Sequence, residues 1–254
     1  MRALRDEGLL RVLCAEVPGR LGEFAAQNIS NTVYALARLQ HEDEALLRAV
    51  CSEVQPRLAE FSGQGVTNLI YAMGVLRFRD ARFLRAACDW SSARLSHFRA
   101  QELANLVYAL ARLDFRCEDF LQAVSDQASS RLPEFAAQEI SNAVYGLGRL
   151  CFKHEGLLAA LCAELPGRLA EFKAHNVANV AFAVHAEFGY GDAEFIRALR
   201  DHVPSRLPEL SPFGLSSLAY ALAALHLGRR VRGRDSPAER ESRQKHGPEE
   251  GRPG

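Results

Sequence analysis

Gln27, Asn31, Tyr34 and Arg38 stand at spacings of 4, 3 and 4, which places all four on one stripe of a helix. The pattern returns as Gln64, Asn68 and Tyr71, as Gln101, Asn105, Tyr108 and Arg112, and as Gln138, Asn142, Tyr145 and Arg149. It decays to His175, Asn179 and Phe182, then to Ser217 and Tyr220. The chemistry such a stripe offers is specific. An aromatic face stacks on a nucleobase, a carboxamide bonds base edges or backbone, and Arg meets phosphate. A stripe this uniform would hold single-stranded RNA without discriminating its bases. Sequence readout would then fall to the variable neighbours Asn28, Gly65, Glu102, Glu139 and Asn176.

A structural reading of the same stripe stands beside this one. An Asn at one fixed place in a stack of repeats can bond the neighbouring repeat's backbone carbonyls, and Tyr can wedge between helices. The combination expected is Asn105 mainly as such a ladder rung and Arg112 mainly as a contact residue.

The elements that must position these side chains are repeats. "FAAQNISNTVYALARL" (24–39) recurs at 61–76, 98–113, 135–150 and 172–187 in steps of 37 residues. A sixth copy, "LSPFGLSSLAYALAAL" (210–225), follows a step of 38, and its extra residue is expected in the loop "FGYGD" (188–192). Between the copies lies a second motif, such as "EALLRAVCSEVQPRL" (44–58), which also opens the chain as "EGLLRVLCAEVPGRL" (7–21). Apolar residues three and four apart make both motifs helices. On a wheel with Ile29 at zero, Thr32, Val33, Leu36 and Leu39 fall within about 80° and form the core face. Ala26, Ser30 and Ala37 form a flank of small residues that lets a neighbouring helix approach closely. Ser62 and Ser211 are expected N-caps, with Pro212 at a first helical position. Pro18, Pro56, Pro166 and Pro204 are expected to bend or stop the second helix.

Two-helix units that cannot bury their apolar faces alone must stack. The expected fold is therefore all-α, an α-solenoid with a 37–38-residue period. Residues 1–227 form the array: a half repeat, five full repeats and a half repeat. Residues 228–254 have almost no large apolar residues and are expected to be a disordered charged tail. In 229–254, eight Arg or Lys face five Asp or Glu, and "RRVRGR" (229–234) is read as a solvated run.

Composition bounds the function. Lys plus Arg and Asp plus Glu are 31 each, so no basic coat covers the molecule, although a local stripe remains possible. No apolar run approaches the roughly 20 residues of a membrane span. No targeting peptide is visible at the start, and the N-terminus is expected to be incomplete. Cys14, Cys51, Cys88 and Cys162 share one 37-residue register, with Ser125 filling the gap. Successive copies lie too far apart for a disulfide or a shared metal. They are read as small reduced core residues, and no metal or other cofactor is expected. The Arg-Leu pair closing each second helix (Arg20, Arg57, Arg94, Arg131, Arg168, Arg206) has an acid three residues on in five copies and is read as structural. Loop pairs Phe78-Arg79, Phe115-Arg116 and Phe152-Lys153 either plug the core edge or suit RNA. No catalytic triad, metalloprotease motif or phosphate loop appears, so the chain is not expected to be an enzyme or to take a small-molecule substrate.

The block "FxxQxLxNxxYALARL" on a 37–38-residue helix pair resembles octotricopeptide repeats. It is also similar to the arrays of FAST-kinase-domain proteins and of the RNA-editing substrate-binding complex. The resemblance spans residues 7–227 and implies RNA binding in organellar RNA metabolism, in a mitochondrion or plastid. It implies single-stranded RNA as partner, with protein partners possible and no membrane. The alternative is a protein–protein scaffold using the same concave face.

Overall fold

A computed structural model describes residues 6–190 and 192–232. Among them are twelve helices: α1 (Glu7–Arg20), α2 (Ala26–Leu39), α3 (Glu44–Val54), α4 (Gly63–Val75), α5 (Ala81–Ser92), α6 (Ala100–Arg112), α7 (Glu118–Ser130), α8 (Ala137–Arg149), α9 (Glu155–Arg168), α10 (Ala174–Ala181), α11 (Ala193–His202) and α12 (Pro212–Arg232). Even-numbered helices pack on even-numbered neighbours, and odd-numbered helices form the second layer. This is the all-α solenoid that the repeat demands.

The even layer is the tighter one, which puts it at the smaller radius of the stack. Small residues allow this. A Cβ added at Gly146 of α8 would lie 3.0 Å from the Val107 carbonyl oxygen of α6, and one at Gly74 of α4 would lie 3.3 Å from the Ala109 carbonyl oxygen. Ser30, Thr67, Ala104 and Ser141, on the small flank, are buried as that close approach requires. The odd layer carries a 3-10 turn after each helix; in the first five its Leu (Leu21, Leu58, Leu95, Leu132, Leu169) enters the core, and Leu207 of the sixth is exposed. Phe61, Phe98, Phe135 and Phe172 follow it into the core.

Ends of helices repeat as strictly as their faces. Asp6, Asp43, Asp80 and Asp192 cap α1, α3, α5 and α11 with a carboxylate that accepts backbone N–H bonds. Ser62 and Ser211 accept from Gly65 and Gly214 at 3.1 and 3.2 Å. The first four even helices close on a left-handed residue: Gln40, Arg77, Asp114 and Cys151, with φ of 49–55°. The next N–H then reaches back five residues, Phe78 to Met73, Phe115 to Leu110 and Phe152 to Leu147, all at 3.0 Å.

Two expectations change here. The left-handed residues step by 37 until Cys151, but the next is Gly189, 38 residues on. Tyr190 N–H reaches back six residues, to Val184, at 3.0 Å. The extra residue therefore precedes Gly189, in the π-helical stretch Phe182–Glu187 that continues α10, and not in the loop after it. A π turn closes over five residues instead of four, so it absorbs one residue without breaking the helix. Secondly, the prolines split. Pro56 and Pro204 fall in 3-10 turns, but Pro18 and Pro166 sit inside α1 and α9, which run on two residues to Arg20 and Arg168.

Helix α12 extends to Arg232, so residues 228–232 of the charged segment are helical, and 233–254 lie outside the described residues. All six cysteines are free thiols. Burial pushes the Cys51 and Cys162 thiols up to about 12, as befits inert core residues. Cys117 stands where other repeats place the capping Asp. Its thiol is held below the ordinary range, first by a hydrogen bond from Cys88.

Candidate nucleic-acid interface

The stripe lies along the even layer. Gln27, Gln64, Gln101 and Gln138 are exposed, as are Asn31, Arg38, Arg112 and Arg149. Asn68, Asn105 and Asn142 are half-buried, and so are Tyr34, Tyr71, Tyr108 and Tyr145. Between α2 and α4, Gln27, Asn31, Gln64 and Asn68 line a cavity of about 330 Å³. A second groove of about 680 Å³ runs from Asn31 and Tyr34 through Gln64, Asn68, Tyr71, Gln101, Asn105 and Tyr108 to Asn142. The carboxamides of four repeats and the phenols of three thus share one concave surface.

The rings pave its floor in pairs. Tyr34 and Tyr71 have centroids 6.3 Å apart with planes tilted by 36°, and Tyr108 and Tyr145 repeat this at 6.3 Å and 39°. Phe182 and Tyr220 pair at 5.8 Å further along. Tilted rings at this distance leave no slot for a base between the paired members. A base would have to lie on their outward faces.

Asn105 is not the ladder rung expected of it, and Arg112, though exposed, bonds the neighbouring helix through one of its nitrogens. The carboxamides of Asn31, Asn68 and Asn105 make no hydrogen bond to a neighbouring backbone among the described residues. The bonds the Asn rung does make are side chain to side chain: Gln138 Nε2 donates to Asn142 Oδ1 at 2.8 Å, and Asn179 Nδ2 to Ser141 Oγ at 3.5 Å. Arg112, by contrast, donates from Nε to the Gly74 carbonyl at 3.1 Å. The Asn31, Asn68 and Asn105 side chains stop short of the neighbouring backbone, whereas the Arg112 stem reaches it. Val75 holds the Arg position on α4, and Ala186 holds it in the fifth repeat, where its side chain lies outside the described residues.

The neighbours expected to read sequence are mostly committed elsewhere. Glu102 and Glu139 accept the backbone N–H of Arg99 and Ala136, both at 2.8 Å, closing the starts of their own helices. Gly65 and Asn176 are buried, and only Asn28 of the set is exposed. Conversely, Arg99 and Thr67 line the groove, although the stripe comparison did not include them. Arg99 was legible as a basic residue at a helix-start position where other copies carry Ala25, Ser62 and Ala136.

Two other repeated sets prove structural. Arg57 donates to the Leu21 and Phe24 carbonyls at 3.3 and 2.9 Å, and Arg168 to the Leu132 and Phe135 carbonyls at 3.4 and 2.7 Å. Each also pairs with acids on its own helix end, Glu53 and Glu60 or Glu164 and Glu171. The hydrogen bond from Arg57 holds the Glu60 carboxyl below the usual range. The loop phenylalanines are buried, with Arg48 over Phe78, Arg79 and Arg85 over Phe115, and Arg116 over Phe152, at 5.7–6.0 Å. These aromatic-basic pairs plug the core edge.

Among the described residues, no helix is long and apolar enough to cross a membrane. A family model described as RNA-editing substrate-binding complex 6 protein matches residues 9–231. No curated protein matches the chain.

Proposed function

The chain belongs to the RNA-editing substrate-binding complex 6 protein family, and from that premise we propose that its inner groove binds single-stranded RNA. The observation that carries this reading is the groove itself: carboxamides from four repeats and aromatic rings from three face one concave surface. They recur in four successive repeats, and the stack does not use most of the carboxamides to hold itself together. In this reading Gln and Asn bond bases and sugar, the tyrosine pairs offer π faces, and Arg38, Arg99, Arg112 and Arg149 meet phosphates from the rim. The setting is mitochondrial RNA metabolism, with RNA editing as the step the family's description names. The chain acts there as a binding module beside protein partners and performs no chemical step of its own.

Filter binding of single-stranded RNA over a salt series tests this. Binding should weaken with salt. Replacing Arg38, Arg112 and Arg149 together by Ala should lower the slope by about 2, at about 0.7 per lost phosphate contact. Affinity no better than that of a neutral control protein would end the proposal. The zero net charge favours a second reading, an extended peptide in the same groove. A pull-down from organelle extract with and without ribonuclease separates the two. Protein partners retained after ribonuclease, together with no binding of naked RNA, would favour the peptide.

A further inference from the structure

At the N-terminal end of the odd layer, three ligand-bearing side chains converge. Cys14 of α1, and His41 and Asp43 from the loop between α2 and α3, each bring one sulfur, nitrogen or oxygen atom within 4.8 Å of the others. Cys14 and His41 are 3% and 8% exposed, so two of the three are core residues. Glu7 Oε2 lies 3.4 Å from His41 Nδ1.

The other repeats show which part of this cluster is ordinary. A thiol facing a capping carboxylate recurs as Cys51 with Asp80 and Cys162 with Asp192. The place of His41 is held by Phe78, Phe115 and Phe152 in the next three copies. The stack therefore asks for an aromatic plug there, and the first copy replaces it with a side chain that brings a metal-binding nitrogen. A buried imidazole needs partners for both of its nitrogens.

We propose that Cys14, His41 and Asp43 form a binding site for a zinc-class divalent cation. One thiolate, one imidazole and one carboxylate are donors of the kinds zinc takes, and a water completes four-coordination. Donor atoms around tetrahedral zinc lie about 3.3–3.7 Å apart, given bond lengths of roughly 2.0–2.3 Å. Loading contracts the present triangle by at most about 1.5 Å, within the reach of side-chain rotation. Asp43 Oδ1 accepts the Leu46 N–H at 2.9 Å and keeps capping α3, which leaves its second oxygen for the metal. Glu7 Oε2, 3.4 Å from His41 Nδ1, is placed to accept its N–H once Nε2 is given to the ion, as carboxylates behind metal-bound histidines do. The site joins α1 to the loop before α3.

Copies of one Cys position lie too far apart to share a metal, whereas these ligands come from three different positions that the first repeat brings together.

Cobalt(II) is the probe, titrated into the full chain carrying Cys151→Ser, which removes the exposed thiol. The expected result is a thiolate-to-cobalt charge-transfer band that saturates at one equivalent and is displaced by Zn2+. Cys14→Ser should abolish the band. His41→Phe should also abolish it while leaving the circular dichroism unchanged, because Phe already fills that place in three copies. Glu7→Gln should weaken cobalt binding about 10- to 100-fold. The inference is overturned if no band saturates at one equivalent, or if the band survives both Cys14→Ser and His41→Phe.

Discussion

Along the odd layer, Arg57 and Arg168 hold carbonyls one repeat back and acids on their own helix ends. Along the even layer, Gln64, Gln101, Asn68 and Asn105 end at the groove, and their carboxamides make no hydrogen bond among the described residues. Both sets repeat with the same period, so repetition alone does not separate a scaffold residue from a working one. What separates them is reach. A guanidinium on a long stem crosses to the backbone of the next helix pair, and the carboxamides of Asn68 and Asn105 in the tight layer do not. The polar groups that cannot serve the stack are the ones left for a ligand.

The comparison breaks most visibly where the tight layer is forced open. Gly146→Val places atoms where a Cβ alone already meets the Val107 carbonyl at 3.0 Å. We expect a loss of about 3 kcal/mol in urea unfolding, typical of overpacking. Full stability in this variant would contradict the close approach of α6 and α8. Arg168→Ala removes two inter-repeat bonds and leaves Glu164, a quarter exposed, without its partner. Stability should fall by about 2 kcal/mol, with RNA affinity per folded molecule unchanged. A loss of affinity at intact stability would move Arg168 into the binding surface. Tyr108→Ala should do the reverse. We expect RNA affinity to fall about tenfold, or about 1.4 kcal/mol for one lost stacking face. The smallest effect belongs to Arg20→Ala, whose exposed pair with Glu23 spans only three residues. Its Tm should match that of the parent within experimental scatter.

Much of the fold was legible because the period is rigid. The stripe, the small flank, the caps at Ser62 and Ser211 and the 37-residue step all follow from residue types at fixed spacing. The position of the extra residue was not legible, because a step of 38 counts the insertion without locating it. Phe182–Glu187 reads like any other end of an even helix, and only the backbone shows that it widens there. The candidate site was legible as a stripe, but not in how its members divide their work. That division depends on the gap between α4 and α6, which Arg112 bridges and Asn105 does not. Glu102 and Glu139 were misread for a related reason: a carboxylate three residues into a helix folds back to its start.

The central claim is that RNA lies against the even layer. Ultraviolet cross-linking of the full chain to a 4-thiouridine-labelled single-stranded RNA, with the cross-linked peptides mapped by mass spectrometry, tests it directly. The account predicts cross-links concentrated on peptides carrying Tyr34, Tyr71, Tyr108 and Tyr145. Cross-links concentrated instead on the odd helices, around Arg57, Arg131 and Arg168, would contradict it.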